Sequence, residues 1–245
     1  GYGERRIIER LILEGRIRVL YVSPERAVQP FFLSLLKKAD VRLIAIDEAH
    51  CISMWGHNFR PEYRRLRVLK ERFPAVPVIA LTATAIPAVQ DDIAKQLALK
   101  NPARFVGSFN RTNLTYRVVS KTRYFPRLVR YLNEHRDDAG IIYCFSQKAT
   151  EDLAEKLRGK GFSALPYHAG LPDAVREEHQ EAFSHGDVDI ICATVAFGMG
   201  IDKPDVRFVI HTDLPKDLES YYQETGRAGR DGDPADCILF YSRGD

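Results

Sequence analysis

Two carboxylates stand directly behind a short apolar run, and their type and spacing mark the first place in this 245-residue chain where chemistry could happen. Leu43, Ile44, Ala45 and Ile46 are compact and β-branched enough for a buried strand, and Asp47 and Glu48 follow at once. In open α/β sheets, ligands bind just beyond the carboxyl ends of strands. An acid pair there suits a Mg²⁺–nucleotide site, one acid holding the metal and the other orienting and deprotonating an attacking water. Taken alone, the pair is equally well explained as a polar turn. Behind it lies a loop with Trp55, His57, Phe59 and Arg60, an unusual density of stacking groups beside a cation.

A second group of candidates lies near the other end. Residues 191–204 run from an apolar stretch into a loop in which Gly198 and Gly200 allow positive φ and leave backbone N–H groups bare for an anion. Residues 219–232 follow, with Arg227 and Arg230 three apart, so that on a helix they share a face. Two such arginines, with glycines leaving room, suit the γ-phosphate of a nucleotide held by another lobe. An arginine finger can contribute about 10³–10⁵ in rate. The plainer explanations are glycines that only turn the chain and a basic helix end favoured by the helix dipole.

The elements that must position these groups alternate. Apolar periodicity predicts helices over 1–15, 31–38, 62–73 and 88–99, and strands over 18–23, 43–46 and 78–81, with a turn at 24–26. Residues 101–123 break the rhythm with Pro102, Gly107 and the cluster Asn110-Arg111-Thr112-Asn113, so a domain junction is placed near 108–123, with an alternating stretch at 114–119. A second series follows: helices over 125–135, 148–160, 172–183 and 218–228, and strands over 140–145, 163–167, 189–193, 206–211 and 236–241. Strands alternating with helices imply largely parallel sheets and an α/β class.

Composition bounds the partners only loosely. Net charge is +3, which permits a nucleic acid without arguing for one. Locally, residues 60–72 hold six cations against two anions, a run that a solvated helix face explains about as well as a phosphate-binding one. The four cysteines are scattered and form no C-x-x-C pattern; Cys144 and Cys192 sit in apolar runs as buried thiols. A metal shared by His50, Cys51 and His57 is the weaker reading of those three residues. No stretch has the length and apolarity of a membrane span or the pattern of a signal peptide, which fits a reducing, intracellular setting.

At this point a resemblance becomes specific. Asp47-Glu48-Ala49-His50, continued by Cys-Ile-Ser-Met-Trp-Gly-His-Asn-Phe-Arg-Pro-Glu-Tyr, resembles the DEAH box and adjoining aromatic-rich loop of RecQ-type DNA helicases. In the same order and spacing, 21–26 resembles the motif preceding the DEAH box, 80–85 motif III, 143–146 motif IV, 167–171 the next family signature, 191–211 motif V and 219–232 motif VI. The likeness runs essentially from end to end. It departs at Asn58, where the family usually has Asp, and at Phe145 and Gln147.

The resemblance implies two RecA-like parallel-sheet lobes with helices on both faces, 1–110 and 111–245, the first incomplete at its amino terminus. It implies an ATP-driven 3′–5′ DNA helicase acting in recombination and repair, with ATP and Mg²⁺ as cofactors. Single-stranded and junction DNA would be the partners of a monomer, cytoplasmic and nucleoid-associated in a bacterium or nuclear in a eukaryote. Asp47 would hold Mg²⁺ through water, Glu48 act as general base, and His50 couple the nucleotide and DNA sites. Arg230, supported by Arg227, would be the arginine finger, and Gly200, Asp202 and Gln223 would line the nucleotide cleft. Trp55, His57, Phe59 and Arg60 would sense single-stranded DNA, and Ser23, Ser146, His168 and Thr194 would contact its phosphates. Family members carry a G-x-x-x-x-G-K-[ST] cradle ahead of the point where this sequence begins, and a zinc subdomain and winged helix beyond its end, so the fragment by itself is expected to be inactive. The alternatives are a non-catalytic single-stranded DNA-binding fragment and a related helicase acting on RNA.

Overall fold

The structure, a computed structural model, describes residues 2–54, 59–83, 85–108, 110–198 and 202–244. The chain divides into two compact units, Gly1–Val106 and Gly107–Asp245.

The second unit is built on a six-stranded, all-parallel sheet. Its strands are β3 (Leu114–Ser120), β4 (Ala139–Tyr143), β5 (Ala164–Tyr167), β6 (Ile190–Ala193), β7 (Val206–His211) and β8 (Ala235–Tyr241), in the order β3-β8-β7-β4-β6-β5. Parallel strands covered on both faces read as unbroken apolar runs, and β4, β6 and β8 from Cys237 onward do. Edge strand β3 is exposed along most of its length, which is why its sequence alternates instead. Helices α7 (Tyr124–Glu134) and α8 (Gln147–Arg158) cover one face, where Leu128, Leu132, Leu153 and Leu157 pack on Ile142, Cys192, Phe208 and Ile210. On the other face, Phe183 of α9 (Asp173–His185) joins Ile141, Tyr143, Ile191, Phe197 and Val209. A last helix, α10 (Leu218–Thr225), leads towards β8.

The first unit holds α1 (Tyr2–Leu13), α2 (Pro24–Ala27), α3 (Pro30–Lys38), β1 (Ile44–Ile46), α4 (Pro61–Arg65), α5 (Arg67–Arg72), β2 (Val78–Ala80) and α6 (Pro87–Gln96). Strands β1 and β2 pair in parallel, Ile44 opposite Val78. Ile46 packs with Leu33, Ile52, Leu66, Leu69, Val89 and Ile93 into one core.

Three expectations are corrected here. No strand forms over 18–23: no described strand pairs with it, and Tyr21 is 93% exposed. The single helix expected over 62–73 is two, because the amides of Leu66 and Leu69 bond three residues back, to Tyr63 and Leu66, a tightening that turns both leucines into the core. The helix expected over 218–228 stops at Thr225, so Arg227 and Arg230 lie in turns and not on a helical face. Left-handed Gly229 (φ 54°) breaks the helical path, and its amide bonds instead to the Val206 carbonyl, 2.8 Å away.

Gly140 generates a stability prediction. It stands opposite Phe208 in the β4–β7 pair, and a Cβ there would fall 1.9 Å from the Phe208 ring, which is fully buried and has no room to yield. Gly140→Ala should cost about 1–3 kcal/mol or more, read as a lower urea midpoint at unchanged slope. The buried thiols give a second prediction. Burial pushes the Cys144 and Cys237 thiols up to about 12 and the Cys192 thiol well above its usual value. A thiol reagent at pH 8 should therefore label these three only as fast as the unit unfolds, with full labelling in denaturant.

Candidate functional site

The acid pair sits where the sequence places it, at the carboxyl end of β1. Asp47 is exposed, and its Oδ1 accepts the Glu48 amide at 2.8 Å. Glu48 adopts the left-handed conformation (φ 50°, ψ 40°), which costs a residue with a Cβ on the order of 1–3 kcal/mol and persists only where its surroundings demand it. They do: the Ala49 amide bonds to the Leu81 carbonyl at 2.9 Å, and a 3₁₀ turn (Ala49–Ile52) begins immediately. That turn buries His50, whose Nδ1 lies 2.9 Å from Thr82 Oγ1 and 3.3 Å from Glu48 Oε2. The imidazole thus ties the acid pair to the loop that leaves β2. Asp47 is a single exposed carboxylate, and no cluster of three metal-ligating side chains occurs among the described residues. Such a group suits a hydrated Mg²⁺ that draws its remaining ligands from water and phosphate.

Of the aromatic loop, Trp55 and His57 lie outside the described residues, as does Asn58. Phe59 is 37% exposed with the Arg64 guanidinium 5.0 Å above its ring, and Arg64 Nε also donates to the Ile52 carbonyl at 3.2 Å. Arg60 is exposed and its amide bonds to the Cys51 carbonyl at 2.9 Å. Burial pushes the Cys51 thiol and the Tyr63 phenol up, and the nearby Arg60 charge opposes both shifts. In the basic run, Arg64 is engaged as above, Arg67 pairs with Glu71 at 2.8 Å, and Lys70 donates to the Pro74 and Val76 carbonyls. Much of that charge is therefore spent within the unit. Ser23 is the N-cap of α2, its Oγ accepting the Arg26 amide at 3.4 Å, and it is exposed.

In the second unit the structure gathers several of the nucleotide candidates. Arg230 Nη1 lies 3.2 Å from Asp202 Oδ1. The Arg227 guanidinium lies beside Gly198, where a Cβ would come within 3.5 Å of Nη2, and its Nε is buried with no hydrogen-bond partner among the described residues. Burial pushes the Tyr143 phenol far up, the adjacent Arg227 charge opposes the shift, and the hydroxyl donates to the Phe197 carbonyl at 2.9 Å. Gln223 is half-buried on α10. Gly200 lies outside the described residues.

Three phosphate-contact candidates meet at one edge, because β4, β6 and β5 are adjacent and parallel. Ser146 follows β4 as the exposed N-cap of α8, its Oγ accepting the Ala149 amide at 3.2 Å. Thr194 follows β6, half-buried, its amide bonded to the Tyr167 carbonyl at 3.1 Å. His168 follows β5 but is only 3% exposed, with Nε2 3.1 Å from Glu151. Its ring lies beneath that edge, not on it.

Sequence reasoning passed over Arg64, Thr82, Tyr143 and Asp213 as site neighbours. Burial alone would raise the Asp213 carboxyl, but hydrogen bonds from Lys121, Thr212 and the Phe145 amide hold it below the usual range. Two of these were within reach. Thr82 lies in the segment that resembles motif III, and Tyr143 opens motif IV. The contacts of Arg64 and Asp213 depend on tertiary packing and leave no mark in the local sequence.

A DEAD/DEAH box helicase family profile matches residues 1–93, and a helicase conserved C-terminal domain profile matches residues 121–232. The ATP-dependent DNA helicase RecQ of Pasteurella multocida is 48% identical over 244 residues, which cover 100% of this chain and 39% of that protein. The same-named protein of Haemophilus influenzae is 50% identical over 238 residues, 97% of this chain and 38% of its own. The RecQ-like DNA helicase BLM of Xenopus laevis is 49% identical over 92% of this chain and 17% of its own length. The chain thus spans about two fifths of the length of the bacterial relatives it matches. Among solved structures, S. cerevisiae Dbp5 bound to RNA and ADP BeF3 aligns with a TM-score of 0.64 at 21% identity, over 85% of this chain and 56% of that one. A DEAD box protein from Methanococcus jannaschii aligns at 0.56 with 25% identity, over 91% and 60%. These structural likenesses establish a common RecA-like fold. With two adjoining helicase profiles and near-half identity along its whole length, the chain belongs to the RecQ family of DEAD/DEAH box helicases.

Proposed function

We propose that this chain carries the water-activating and phosphate-binding residues, and part of the strand-contacting surface, of an ATP-dependent DNA helicase that moves 3′ to 5′ on single-stranded DNA and separates duplexes in recombination and repair. The observation that carries the proposal is the acid pair at the carboxyl end of β1, held in a strained conformation and joined through His50 to Thr82. In this reading residues 1–110 and 111–245 are the first and second helicase lobes.

Asp47 would hold Mg²⁺ through water, and Glu48 takes the proton of the attacking water. Mg²⁺ supplies charge neutralisation of the phosphates when bound. Arg227 and Arg230 stabilise the charge that develops on the transferred phosphoryl group, and Asp202, Gln223 and Gly200 serve nucleotide binding with them. His50 relays between Glu48 and the loop after β2. Trp55, His57, Phe59 and Arg60 meet the bases and backbone of the strand. Ser23, Ser146 and Thr194 contact its phosphates, while His168 shapes the edge from below.

Magnitudes separate holding from moving. Opening one base-pair step costs about 1.4 kcal/mol of stacking. A freed base stacked on an aromatic side chain recovers about 1–3 kcal/mol. Such a trap holds melted strand but has no direction, which must come from the nucleotide cycle.

The test uses the full-length protein with single-stranded DNA as activator. Glu48→Gln should lower kcat for ATP hydrolysis about 10²–10⁴-fold while nucleotide binding persists. Wild-type turnover in this variant would remove Glu48 from the mechanism, and stimulation by RNA in place of DNA would reassign the substrate. Arg60→Ala should weaken single-strand binding and reduce the slope of log K against log salt by about 0.7, as expected for one lost phosphate contact. An unchanged slope would separate Arg60 from the backbone.

A further inference from the structure

We propose that Arg111, assisted by Asn113, is a positioning residue for ATP hydrolysis, holding the two peptide groups from which Arg227 and Arg230 project. The inference rests on the proposed role of those two arginines.

Strands β3 and β8 pair in parallel with Leu114 opposite Ala235, so the segment that enters β3 lies beside the segment that enters β8. Arg111 and Asn113 belong to the first, and the turn carrying Arg227 and Arg230 to the second. Arg111 Nη1 donates to the Gly226 carbonyl at 3.0 Å, and Nη2 donates to the Gly229 carbonyl. Asn113 Nδ2 donates to the carbonyls of Gly229 and Asp233, each at 2.8 Å.

The identity of those carbonyls matters. Gly226 C=O belongs to the peptide unit that links Gly226 to Arg227, and Gly229 C=O to the one that links Gly229 to Arg230. Fixing these planes limits rotation at the α-carbons of both arginines and so the directions in which their side chains leave the backbone. A guanidinium fork reaches two carbonyls at once, which a lysine ammonium on a flexible stem does not reproduce. Among the described residues Arg111 pairs with no carboxylate, so its charge is spent on these two oxygens. The close approach also requires glycine at 229: a Cβ there would lie 2.6 Å from Asn113 Nδ2.

The turn has other anchors. The Gly229 amide bonds to Val206 O and the Asp231 amide to Pro204 O, and Arg207 pairs with Asp231. Loss of Arg111 should therefore loosen the aim of the two arginines without unfolding the unit.

The experiment is a double-mutant cycle in the full-length protein, with ATP hydrolysis measured on saturating single-stranded DNA. Arg111→Ala should lower kcat about 10–100-fold, the scale of a displacement near 1 Å, with KM for ATP changed less than about threefold. Thermal melting and DNA affinity should stay near wild type, and Arg111→Lys should recover little. Because Arg111 acts through the turn, Arg111→Ala in an Arg230→Ala background should cost less than about threefold more. Multiplicative losses in the double variant, or a loss that disappears on cooling in step with melting, would overturn the inference. So would wild-type kcat in Arg111→Ala when Arg230→Ala is impaired. If Arg230→Ala itself turns over normally, the finger assignment fails and the inference falls with it. Should Arg111→Ala not fold, Asn113→Ala carries the same prediction at a smaller size.

Discussion

In a parallel ladder neighbouring strands run the same way, so the loops that leave them emerge side by side at one edge and the loops that enter them lie side by side at the other. Three groupings of candidate residues in this chain follow from that constraint. Pairing of β1 with β2 puts the acid pair next to Leu81 and Thr82. The adjacency of β4, β6 and β5 puts Ser146 and Thr194 on one rim, with His168 buried beneath it. Pairing of β3 with β8 brings Arg111 and Asn113 against the arginine turn across a sequence separation of more than a hundred residues. No helix contact alone would specify these neighbours.

The second constraint is strain held in place by hydrogen bonding. Glu48 in the first unit and Gly229 in the second both sit at positive φ beside a functional candidate. At Glu48 the cost is real, because the residue has a side chain, and the Ala49–Leu81 bond and the 3₁₀ turn offset it. At Gly229 the cost is small, and the bare Cα makes room for the Asn113 amide. Both backbone devices aim a charged group: a carboxylate past a strand end in one unit, a guanidinium past a helix end in the other.

Burial sorts the remaining candidates. His50 and His168 share a residue type and near-complete burial, yet His50 bridges two loops while His168 packs against Glu151 beneath a rim. Several cations of residues 60–72 read as a patch, but Arg64, Arg67 and Lys70 are engaged with Phe59, Glu71 and backbone carbonyls. The positive charge offered to a nucleic acid is accordingly smaller than a count along the chain implies.

Apolar runs with strand length, separated by helical periods, determined the α/β class and most strand positions, because burial on both faces leaves that pattern in the residues themselves. The carboxylates at 47 and 48 were legible for the same reason: they end such a run. Tertiary structure decided what local pattern leaves open. It gave residues 18–23 no ladder partner among the described strands, although their composition suits a strand. It ended α10 at Thr225, because glycines and the bond from Gly229 to Val206 outweigh the helical spacing of Arg227 and Arg230. It also recruited Arg111, whose role depends on which strand lies beside β3. Periodicity records which faces are buried, while the choice of neighbour depends on long-range backbone pairing, and that choice is made only when the sheet closes.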